Sequence, residues 1–133
     1  MINIKIEGES LEKILQWDEY TFYDLVLIDI PIVLNIGSAE VLGQFVVKNN
    51  ILVIELAQID GGGEGVLPTI HRVAKYIAEL KNIFEINYIV HAINCAEPNM
   101  KLRSHLEKRG FLIKDIPNKG EAYFKSEKIK KKL

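Results

Sequence analysis

Cysteine is nearly absent from this sequence: Cys95 stands alone among 133 residues. One thiol excludes an intrachain disulfide framework and a Cys-rich metal centre, and it suits a reducing compartment. Histidine is almost as scarce. His71, His91 and His105 are scattered, and no His, Cys and Asp fall at a ligating spacing, so no metal is expected. Charge of one sign is lacking too: the net charge is −1, which leaves no global basic field for nucleic acid. The basic run KSEKIKKKL, in a tail over 125–133, reads as a solvated end. No apolar run reaches membrane-spanning length, and MINIKIEGES lacks the apolar core of a signal peptide. The expectation is a cytoplasmic protein that engages neither nucleic acid nor membrane. No linker, repeat or low-complexity stretch breaks the chain, so residues 1–133 read as one domain. At 48% apolar and 26% charged, the composition suits a globular core.

The sequence is richer in periodicity. INIKIEG alternates apolar and polar residues, the pattern of a strand with Ile2, Ile4 and Ile6 on one face. GESLEKILQWDEYTF sets Leu11, Ile14, Leu15 and Trp17 at helical spacing, with Ser10 as N-cap. DLVLIDIPIVLNI is rich in β-branched residues, and Pro31 confines a strand there to an edge or a break. EVLGQFVVKN and ILVIELAQI flank Asn49 and Asn50, which tolerate positive φ and predict a hairpin. Val66, Ile70, Val73, Ile77 and Leu80 then recur at three- and four-residue steps, predicting a helix of about four turns. INYIVHAIN reads as a central strand. Pro98 precedes a further helix, NMKLRSHLEKRG, with Gly110 as its stop signal, and FLIKDI and EAYFKSEKI close as a hairpin through PNKG. The order β-α-β-β-β-α-β-α-β-β predicts an α/β (α+β) fold. One twisted, mixed and mostly antiparallel sheet should carry helices on both faces.

Glycine is concentrated at a single junction. In ELAQIDGGGEGVLPTI, Gly61, Gly62, Gly63 and Gly65 separate a strand from a helix. Such a loop either only turns, or brings bare N–H groups against an anion at the positive end of the helix dipole. Pro68 is tolerated only in a first turn, so the helix should begin near Gly65, leaving Gly61–Glu64 as loop. The dinucleotide spacing G-x-G-x-x-G fails, because Val66 and Leu67 stand where the third glycine is needed. The P-loop fails for want of lysine and hydroxyl. Q/R-x-x-G-x-G/A remains, and QIDGGG satisfies it through Gln58, Gly61 and Gly63.

With this motif the chain resembles the GNAT superfamily, the acetyl-CoA-dependent N-acetyltransferases. Three further features agree: the antiparallel hairpin feeding ILVIELAQI, the segment NMKLRSHLEKRGF after the next strand, and the closing strand pair. The resemblance covers about residues 30 to 128, and the region before it is short for the family. It implies a loop between the fourth strand and the third helix that cradles the pyrophosphate of coenzyme A. On that basis Gln58, Gly61, Gly62, Gly63, Gly65 and Val66 bind the cofactor, acetyl-CoA, and Asn99 lies near it. Leu56 or Ala57 supplies the amide that contacts the thioester carbonyl. Where the family often has a tyrosine acid, this sequence has Leu106.

Acetyl transfer to an amine needs an unprotonated nucleophile, a polarised carbonyl and a route for the proton. Glu55 is the candidate base and His105 a substitute acid. His91 reads as a satisfied core histidine and Cys95 as a small buried residue. Trp17, Tyr20, Phe22 and Tyr23 either shape an acceptor pocket or pack in the core. Three readings stand: an N-acetyltransferase for a small-molecule or peptide amine, forming a possible homodimer; a catalytically reduced CoA-binding or interaction module; and a scaffold whose glycines merely turn.

Overall fold

The computed structural model describes residues 2–60, 65–93 and 99–129. Seven strands form one sheet: β1 (Asn3–Lys5), β2 (Ile32–Ile36), β3 (Ala39–Lys48), β4 (Ile51–Asp60), β5 (Glu85–Val90), β6 (Leu112–Ile116) and β7 (Gly120–Lys128). Four helices join them: α1 (Gly8–Ile14), α2 (Glu19–Leu25), α3 (Val66–Lys81) and α4 (Met100–Lys108). The spatial order is β1-β2-β3-β4-β5-β7-β6, with only β1–β2 and β4–β5 paired in parallel. The α/β class and the mixed, mostly antiparallel sheet are those the sequence predicts.

Local chemistry fixes the turns. Asn49 and Asn50 both take left-handed φ, 51° and 63°, the requirement of a two-residue hairpin that matches strand twist. Asn118 and Gly120 do the same in the closing hairpin, and Gly110 ends α4 at φ 88°. One long early helix was expected, but two short ones form. Chain direction changes between Leu15 and Asp18, and Asp18 caps α2 by accepting the Thr21 N–H at 2.9 Å. Ser10 is no cap: it lies inside α1, whose N-cap is Glu7.

Alternation along the strands sorts side chains onto two faces. Ile32, Leu34, Val41, Phe45, Ile54, Leu56, Tyr88 and Val90 point one way and are buried. The buried residues of all four helices join that same cluster, through Ile14, Phe22, the Val66–Ile77 stripe and Leu106. The opposite face holds a smaller cluster of strand residues alone, centred on Ile89, Ile116 and Ala122. The helices are therefore one-sided rather than two-sided. Each β-α-β passage advances in the same direction along the sheet, and right-handed crossovers taken one way place their helices on one face. No helix among the described residues is long and apolar enough to cross a membrane.

Leu106 is fully buried in the main cluster. Introducing a tyrosine there should cost about 1–3 kcal/mol through overpacking and a buried hydroxyl. The check is the denaturant midpoint of Leu106→Tyr at unchanged slope. A variant as stable as the parent would show that this position opens onto a cleft.

Candidate functional site

The site is defined by where two parallel strands part. β4 and β5 pair from Leu52–Ile86 to Leu56–Val90, and one more bond, His91 N–H to the Leu56 carbonyl at 2.9 Å, ends the ladder. β4 runs on to Asp60, yet β5 stops at Val90. A register shift against β3 between Glu40 and Leu42 accompanies a left-handed Gln58 at φ 49°. This is a β-bulge, which bends its strand and re-aims the backbone beside it. A left-handed residue other than glycine costs on the order of 1 kcal/mol, so the surrounding structure holds it there.

This geometry sorts the predicted amide donors. Ala57 faces its partner Leu42 on β3, whereas the Leu56 carbonyl, and with it the Leu56 N–H, faces β5 inside the ladder. Across the trans peptide the Gln58 N–H also points toward β5, past the last pair. Leu56 and Ala57 thus face neighbouring strands, whereas the Gln58 N–H lies beyond the last β4–β5 pair. At the same end of the sheet, α3 starts at Val66, with Gly65 as its N-cap and Pro68 in its first turn, as the sequence predicts. Among the described residues no side chain caps that end, no acidic residue sits in its first turn, and nothing lies within 4 Å of where a Cβ on Gly65 would stand. Helix N–H groups without a capping side chain suit an anion. Gly61, Gly62 and Gly63 lie outside the described residues, as does Cys95.

Beside the first two turns of α3 lies a cleft of about 190 Å³, lined by Leu56, Leu67, Ile70, Tyr88 and Phe111 with Arg109 and Lys125 among its polar groups. The Tyr88 hydroxyl is buried and finds no partner among the described residues. Burial first, and the Glu127 carboxylate second, push its ionisation well above the ordinary phenol range. Glu127 is itself held by His71 at 2.8 Å.

On the opposite face of the sheet Glu55 has a nitrogen partner at each carboxylate oxygen. His91 Nε2 stands 2.6 Å from Glu55 Oε2, and Lys119 Nζ contacts Oε1. Glu55 is 19% exposed and His91 25%. Burial raises the carboxyl's pKa, but the hydrogen bonds from Lys119 and His91, with their charge, outweigh it and leave Glu55 below its ordinary range. His91 is thus half-buried on a carboxylate rather than a core residue. Arg103 is a further residue that pattern reading missed. Its guanidinium caps the end of β5 by donating to the carbonyls of Ala92 at 2.7 Å and Ile93 at 3.1 Å, tying α4 to the point of parting. Asn99 serves as N-cap of α4, accepting the Leu102 N–H at 3.0 Å.

Other predicted residues are not brought together here. His105 lies on α4 with a buried, unpartnered Nε2, and no hydrogen bond or ion pair joins it to Glu55 or His91. Trp17 and Phe22 stack edge-to-face at 5.3 Å, and the Tyr76 hydroxyl donates to the Trp17 carbonyl at 2.6 Å. Tyr23 contacts Lys81 at the last turn of α3. That cluster packs against the C-terminal half of α3, the end away from the glycine run, so core packing accounts for Trp17 and Phe22. Among the described residues no three His, Cys, Asp or Glu side chains are grouped to hold a metal ion.

No protein-family model matches the sequence, and no curated protein does. Among solved structures the chain is similar to a PaiA N-acetyltransferase from Thermoplasma acidophilum in complex with coenzyme A, at 19% identity and a TM-score of 0.39. The match covers 68% of this chain and 52% of that one, so the chain spans about half the length of that protein.

Because the folded pKa of Glu55 lies below the ordinary 4.5, the unfolded chain binds its proton more readily. Its contribution to stability is complete above pH 4.5 and drains as pH falls through the lower folded value. Glu55→Gln should flatten that acid limb in denaturation curves taken across the range. An unaltered limb would mean the contacts with His91 and Lys119 do not persist in solution.

Proposed function

We propose that this protein is an acetyl-CoA-dependent N-acetyltransferase acting on a primary amine of a small molecule or peptide. The observation that carries this reading is the parting of β4 and β5 at Gln58, with a helix N-terminus lacking a side-chain cap at the same edge. One feature supplies a hydrogen-bond donor beside a gap between strands, and the other supplies a seat for diphosphate. The glycine run lies between the fourth strand and the third helix, where the family resemblance requires it.

Bound acetyl-CoA would supply an activated acyl thioester. The chain's residues then have separable tasks. The amides at the start of α3, with those of the glycine run, take the pyrophosphate. The Gln58 N–H is oriented to polarise a carbonyl at the strand gap. Glu55, ionised at neutral pH, accepts hydrogen bonds from a protonated acceptor amine and takes up its proton. His91, in contact with the other carboxylate oxygen, orients Glu55 and passes that proton toward solvent. Alignment on these groups supplies much of the acceleration.

A second reading, a catalytically reduced CoA-binding or interaction module, is favoured by one observation. Leu106, at the position of the family's tyrosine acid, is buried in the core and supplies no proton donor.

Calorimetric or thermal-shift titration with acetyl-CoA tests both. A ligand that binds only the native state stabilises it by about 2.7 kcal/mol at 100-fold excess over Kd. Gly63→Asp, which adds a side chain and a negative charge to the loop, should abolish the effect. An unchanged shift in that variant would move the cofactor site elsewhere. Binding without turnover across an amine panel would favour the second reading, and no binding of any CoA species would contradict both.

A further inference from the structure

The closing hairpin places an amine of the chain itself on the candidate base. β6 runs parallel to β4 and β5, so its turn lies at the same edge as the parting of those strands. That turn is rigidly specified: Asn118 and Gly120 are left-handed, and the Lys119 N–H donates to the Ile116 carbonyl at 2.9 Å. From it the Lys119 side chain reaches back across the helix-free face to Glu55. Its Nζ meets Oε1 while His91 holds Oε2, so the two partners divide the carboxylate between them. Lys119 is nevertheless 45% exposed, open enough to swing and to be modified.

We propose that Lys119 occupies the position of the acceptor amine and is a site of self-acetylation by an acyl thioester. The proposal rests on the acetyltransferase reading above. In the step, Lys119 gives one ammonium proton to Glu55 and its nitrogen attacks the thioester carbonyl carbon. The C–N bond forms and the C–S bond breaks, with the electron pair leaving on the thiolate. Of the two protons lost by the ammonium, one ends on that thiol and the other reaches solvent. The product is a neutral acetyl-lysine, which can no longer pair with Glu55. Modification therefore removes the internal amine from the base and leaves Glu55 open to an external acceptor.

The test uses the full chain incubated with acetyl-CoA, read by intact mass and by peptide mapping. The expected result is one added acetyl group, +42 Da on the mass scale of that group, located at Lys119. Its rate should exceed that at Lys114 and at the tail lysines at least tenfold. Glu55→Gln should abolish the Lys119 excess, bringing its rate down to that of Lys114, and an excess that persists in this variant would overturn the proposal. Calorimetry on the same samples separates the two claims. Acetyl-CoA binding with labelling no faster at Lys119 than elsewhere overturns this inference alone, and absence of binding overturns it together with the reading it rests on. A readout without acetyl-CoA is the NMR titration of the Glu55 carboxyl. In Lys119→Gln, which mimics the acetylated side chain, Glu55 should titrate at higher pH than in the parent. An unmoved titration would show an ordinary surface contact and overturn the proposal.

Discussion

A parallel strand pair that stops pairing while one member runs on must resolve the polar groups left between them. In this protein the resolution is asymmetric. On the β5 side, Arg103 covers the carbonyls of Ala92 and Ile93. On the β4 side, a left-handed Gln58 turns the backbone away after the last pair, at Leu56 and Val90. Most of the functional reading depends on that one bulge, because it creates a gap in the middle of a sheet rather than at its edge. Backbone strain at a non-glycine residue is seldom kept where a relaxed strand would serve.

The rest of the architecture holds the gap in place. Helices packed on one face bury the main core, so the sheet is anchored from behind by the α3 stripe and Leu106. The other face is left without helices and carries polar residues such as Glu55 among half-buried apolar ones. The division has a chemical consequence. The positive end of α3 lies on the packed face, and the Glu55 carboxylate lies on the open one.

Much of the fold was legible in the sequence because it rests on local rules. Strand alternation, the Asn49–Asn50 turn and the start of α3 near Gly65 each depend on a few adjacent residues. The break between α1 and α2 was hidden because Leu11, Ile14 and Leu15 run into Trp17 at spacing that fits one continuous helix. The signal that contradicts it, Asp18 three residues before Thr21, lies inside that same pattern. One-sided helices follow from crossover handedness along the whole sheet, which no single stretch displays. At the site, Glu55 was legible as a strand carboxylate beside the glycine run. Its partners were not, since His91 is 36 residues away and Lys119 is 64, and only strand register brings them together. The bulge was hidden for a related reason: it shifts which amides face the neighbouring strands, and no composition rule announces a left-handed glutamine.

Amide-resolved NMR during titration with coenzyme A tests the central claim most directly, since the claim concerns particular N–H groups. The account predicts saturable shifts concentrated at Gln58, Gly65, Val66 and Leu67, with the Trp17, Phe22 and Tyr76 amides unmoved. Saturable shifts confined to other parts of the sheet, or none at millimolar ligand, would contradict it.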